Sequence, residues 1–127
     1  MYSTKVINCS FDEAIVKITE KLKDEGFGIL SDIDVSATLK NRINVDFRKY
    51  RILGACNPPF AHKALSVEPN AGVMMPCNVA VQEISENEIQ VSVVNPSAAA
   101  VGLNNPGLIT IADEVTEKLD RFFNNLK

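Results

Sequence analysis

With 127 residues, 46% of them hydrophobic and 23% charged, the chain has the size and make-up of one globular domain, residues 1–127, with a conventional core. A disordered or fibrous polypeptide is excluded. A net charge of −3 at pH 7 offers no general attraction to phosphate backbones, so nucleic acid is not an expected partner.

Three cysteines, none in a CxxC pair, lie in a chain whose start, MYSTKVINCSFDE, lacks the basic flank and apolar stretch of an export signal. Free thiols and a cytoplasmic location are the expectation. No apolar run approaches the ~20 residues that cross a bilayer, so no membrane contact is expected.

Tyr2 to Asn8 alternates as a strand, and Ser10-Phe11-Asp12-Glu13 then forms a capping box that opens a helix. Phe11, Ala14, Ile15, Ile18 and Leu22 recur at three- and four-residue spacing along one face of it. Gly26 supplies the left-handed residue that ends the helix, and Cys9 is placed to pack against Ala14 as a hydrophobic staple. Phe27 to Ile33 reads as a second strand entering the core. Asp34 caps a short helix with Val35, Leu39 and Ile43 four apart, and a third strand runs from Tyr50 to Cys56, with Ile52, Gly54 and Cys56 on one face.

The dipeptide Asn-Pro occurs at Asn57-Pro58, Asn95-Pro96 and Asn105-Pro106. Asparagine is a strong N-cap and proline fits the first helical position, so each pair marks a helix start. Phe60, Ala61, Ala64 and Leu65 follow the first; a helix of one or two turns ending before Gly102 follows the second. The third opens the longest helix, reaching Asn125, with Leu108, Ala112, Val115, Leu119, Phe122 and Leu126 on one stripe. Between them, Pro69 to Gly72 reads as a turn, and Val73–Glu83 with Ile89–Asn95 reads as a hairpin around Ser85 to Glu88. Pro76 is discordant in a strand and predicts a kink beside Cys77.

The predicted architecture is α+β, a two-layer sandwich. A curved antiparallel sheet of about five strands carries two main helices on one face (β-α-β4-α), plus short inserted helices. The segments FGILSDIDVSATLK, ILGACNPPFAHKAL and GVMMPCNV, followed by Val91 to Pro96, resemble the bacterial and archaeal domain-of-unknown-function family 302. The resemblance covers nearly the whole chain, its motifs here being LGACNP and MPCNV with Met75 in place of the usual leucine. It implies a fold of the TATA-box-binding-protein class and a homodimer. It implies no activity.

The residues that invite a chemical reading are Cys56, Asn57, Cys77 and Asn78, with His62 nearby on the helix after Pro58. Each has a plain alternative: the thiols as core packing, Asn57 as an N-cap, His62 as a solvent-facing side chain. Asn78, in mid-strand, needs a partner if its face is covered.

Two functions compete. The first is a binding module for a small anionic or apolar molecule, with Arg48, Lys49 and Arg51 adding positive charge near the helix start after Asn57. The second is a thiol-based redox, soft-metal or cysteine-nucleophile protein using Cys56 and Cys77. The first is preferred, and an enzyme is not, because His62 has no acidic partner in the pattern. Nothing in the sequence calls for a metal or another cofactor.

Overall fold

The computed structural model describes residues 1–127. Its elements run β1 (Tyr2–Ile7), α1 (Phe11–Asp24), β2 (Gly28–Asp34), α2 (Val35–Ile43), β3 (Tyr50–Cys56) and α3 (Pro58–Val67). A 3-10 helix (Pro69–Met74), β4 (Cys77–Ser85), β5 (Glu88–Val94), α4 (Pro96–Ala100), a 3-10 turn (Val101–Leu103) and α5 (Pro106–Asn125) complete the chain. The sheet is antiparallel throughout in the order β1-β5-β4-β3-β2. This is the α+β layering expected, with α1 and α5 on one face. No helix is long and apolar enough to cross a membrane.

The core sits between the inward sheet positions and the two amphipathic helices. Leu53, Ala55, Val79, Val81, Ile89 and Val91 meet Ala14, Ile18, Leu22, Leu119 and Phe122, all fully buried or nearly so. Alternation by two along the strands and by three or four along the helices sends these residues to one interface. The capping box forms: the Glu13 amide donates to Ser10 Oγ at 3.1 Å, and Gly26 takes φ +86° beyond the end of α1. Lys5 ties β1 to α5, donating from Nζ to the carbonyls of Phe123 at 2.7 Å and Leu126 at 2.8 Å. A cation there is favoured by the carbonyls that gather at a helix C-terminus.

Two expectations are corrected. The stretch from Phe27 to Ile33 enters the core only at its start, where Phe27 is buried and Ile29 packs against the core; the rest of β2 is an exposed edge strand. A register irregularity between Ile29 and Ser31 throws Leu30 out, 71% exposed, because an inserted residue cannot keep the alternation. The β4 strand starts at Cys77, not Val73: the residues before it are wound into the 3-10 helix, with Val73 at 79% exposed and a cis Met75–Pro76 peptide between them. Alternation of Val73 and Met75 mimicked a strand that the backbone does not make, and Pro76, with no N–H for a ladder, marks where pairing begins.

Gly54 is a point where the sheet is tightly covered. A methyl group there would overlap Ser31 Oγ and lie 2.5 Å from Pro76 Cγ. Gly54→Ala should therefore lower stability by about 1–3 kcal/mol in chemical denaturation, the range for overpacking, and an unchanged denaturation midpoint would contradict the close approach.

Candidate functional site

The end of β3, the start of α3 and the beginning of β4 converge on one cavity. In the β3–β4 register Ala55 faces Cys77 and Gly54 faces Asn78. That pairing brings Cys56 and Cys77 together at the edge of the core. From there the chain rises through α3 and the 3-10 helix and later returns along α5, and these elements line a partly open apolar cavity of about 80 Å³. Six of its lining residues are alanines, among them Ala61, Ala64 and Ala112; small side chains leave the space between the elements unfilled. Met74 and Met75 form part of the wall, and Asn57 supplies its one amide. A satellite core of Ala71, Ala100, Leu108 and Ala112 closes the far side.

Asn57 departs from its expected role. Its backbone begins α3, yet its side chain makes no capping hydrogen bond. The other two asparagines do: Asn95 Oδ1 accepts from the Ala98 amide at 3.1 Å and Asn105 Oδ1 from the Leu108 amide at 3.2 Å. Asn57 is instead turned toward α1, and its Nδ2 donates to the Glu25 carbonyl at 3.3 Å while the residue keeps only 9% exposure. Burial rewards a bond that satisfies the carbonyl at the end of α1, a group left open by helix geometry. Sequence spacing carried no signal for this, because the partner lies 32 positions away.

Of the other candidates, Cys56 and Cys77 line the cavity and Asn78 and His62 do not. Asn78 lies exposed on the opposite sheet face, where water meets its amide and no buried partner is required. His62 is exposed on α3. The cations are also apart from the site. Arg48, Lys49 and Arg51 lie at or before the start of β3, and the seven residues of that strand put about 20 Å between them and Asn57. Arg51 is already engaged: it pairs with Asp32, which raises its pKa. Arg48 donates to Gln82 Oε1 at 2.9 Å and stacks on Phe47.

The start of α3 is a poor anion site on its own account. Pro58 and Pro59 occupy its first two positions, and proline has no N–H, so two of the amides that usually face an anion are missing. The expected anion site is thus not assembled, and the apolar half of that reading is the one with a cavity.

The thiol chemistry is equally constrained. Burial, with a smaller contribution from neighbouring Cys56, pushes the Cys77 thiol up to about 11, which keeps it as S–H at neutral pH, whereas nucleophilic and metal-binding cysteines require the thiolate. No three His, Cys, Asp or Glu side chains converge anywhere in the molecule.

The architecture defines an antiparallel two-layer α+β domain with an apolar cavity at one end of the sheet. The model of the family Domain of unknown function DUF302 matches residues 2–126, and the chain belongs to that family. It is similar in structure to the uncharacterized conserved protein DUF302 from Bacillus stearothermophilus, with a TM-score of 0.90 and 26% identity over 99% of this chain and 98% of that one. No curated protein matches the sequence.

Because the Cys77 thiol holds its proton more tightly folded than unfolded, its contribution to stability is complete below the unfolded value of 9.0 and is lost as pH rises toward about 11. The difference in stability between the wild type and Cys77→Ala, measured by urea denaturation, should shrink across that window. A difference that is flat with pH would contradict the buried thiol.

Proposed function

We propose that the domain is a binding module for a small apolar molecule held in the cavity between α3, the 3-10 helix and α5. The observation that carries this is the cavity itself: a space of about 80 Å³ whose walls hold six alanines, two methionines and no charged side chain. Natural cores are packed close to crystal density, so a persistent apolar gap beside flexible methionines is a place for a guest. An apolar cavity of about 150 Å³ admits benzene, which sets the guest here at roughly half that size, a chain of a few carbons, unless the methionines move aside. The thiol-based alternative has less support, since Cys77 stays protonated.

The reading is tested by thermal unfolding with a series of linear and branched three- to six-carbon alcohols and ketones. At a hundred times its Kd a guest should stabilise the fold by about 2.7 kcal/mol. Ala64→Leu, which fills the space, should abolish that gain while leaving the unliganded protein folded. Absence of stabilisation by every compound at millimolar concentration would remove the proposal.

The same proposal includes a homodimer through the outer face of the sheet. Ile52, Asn78, Ala80, Gln82, Ser92 and Val94 point outward on β3, β4 and β5, and no outward position of these three strands between Tyr50 and Gly54, Asn78 and Gln82, or Gln90 and Val94 carries a charge. Interface centres are depleted of charge in this way. Sedimentation should show two copies for the wild type and one for Ala80→Lys; a wild type that stays single at 100-fold rising concentration would contradict it.

A further inference from the structure

We propose that the cavity selects an uncharged guest carrying one hydrogen-bond donor, an alcohol or an amide N–H, and that the Oδ1 of Asn57 receives it. This rests on the cavity-binding reading above and adds the chemistry of recognition.

An asparagine side chain has two donors on nitrogen and one acceptor oxygen. In Asn57 the orientation of the amide is fixed by its partner: the Glu25 carbonyl can only accept, so the group facing it is Nδ2. Oδ1 therefore lies on the other branch of the amide. In Asn95 and Asn105, which begin helices in the same Asn-Pro setting, that oxygen takes the amide of the third helical residue. In Asn57 it takes no helix amide, and the side chain's one hydrogen bond is the one from Nδ2 to the Glu25 carbonyl. The residue is nevertheless 9% exposed and lines the cavity.

No fully buried side-chain oxygen or nitrogen in the molecule lacks a partner, so the unbonded Oδ1 keeps some accessible surface, on a residue that lines the cavity. Around it the lining is alanine, methionine, phenylalanine, proline, aliphatic side chains and two thiols, so Asn57 holds the only strong acceptor among the side chains of the wall. An acceptor with no counter-charge discriminates in one direction. It favours a donor, it is repelled by a carboxylate, and it leaves an ether or hydrocarbon of the same size with one bond unmade.

The experiment uses two isomers of identical heavy-atom content, butan-1-ol and diethyl ether, with butyrate as the charged comparison. Each is titrated into the 127-residue protein labelled at its alanine methyl groups, following Ala61, Ala64 and Ala112 by NMR. The alcohol should move these signals and bind about fivefold more tightly than the ether, the value of one net hydrogen bond, and butyrate should bind more weakly than the alcohol. In Asn57→Leu the alcohol and the ether should bind alike.

Equal affinity for alcohol and ether in the wild type overturns the assignment of Asn57 while leaving the cavity as a binding site, and needs no variant to fold. Tighter binding of butyrate than of butan-1-ol also overturns it. Failure of all three compounds to move the alanine signals overturns the cavity reading and this one together.

Discussion

The hydrogen bond from Asn57 to the Glu25 carbonyl is the constraint around which this end of the molecule is arranged. It joins the end of α1 to the corner where β3 turns into α3, and it makes specific demands on both sides. Gly26, next to the accepting carbonyl, adopts φ +86° and has Asn57 Nδ2 only 3.0 Å from where a Cβ would stand. Glycine is required there twice, for backbone freedom and for room. On the other side, the bond removes the Asn57 side chain from capping α3, so that helix begins with two prolines and no side-chain cap.

The cavity follows from this corner and from the way the chain crosses it. α3 and the 3-10 helix, both short, lead from β3 to β4 over the sheet end and meet the long helix α5 there. Alanines at the meeting points let the backbones approach without filling the space between them. The main core, built on Leu53, Val79, Val91, Ile18 and Phe122, is separated there from the satellite core around Leu108 and Ala112, and the cavity lies along the boundary. The Cys77 thiol at such a boundary is desolvated, which accounts for a proton held more firmly than in water.

Much of the scaffold was legible in local sequence because the signals are local. The capping box at Ser10, the glycine at position 26, the aspartate cap at Asp34 and the stripes of α1 and α5 are all decided by neighbours within about four residues. Cys9 is buried, consistent with its expected packing role. The readings that failed needed partners far along the chain. Phe27 to Ile33 reads as a core strand from its apolar content, and Phe27 and Ile29 do reach the core, but no strand pairs on the other side of β2, which leaves the remainder exposed at the sheet edge. Of the candidate site, Cys56, Asn57 and Cys77 come together as the two motif segments suggested, whereas Asn78 is carried to the opposite face by strand alternation and Arg51 to the far end of β3.

The sequence by itself determined the layer architecture, the two long helices and the order of the strands along the chain, since periodicity and caps are properties of short windows. Tertiary structure alone decided that one asparagine of three identical Asn-Pro starts would leave its helix, and that six alanines from scattered segments would line a space. Those outcomes depend on where the end of α1 and the body of α5 come to rest against β3, and contacts between residues so far apart in the chain are fixed only when the whole core packs.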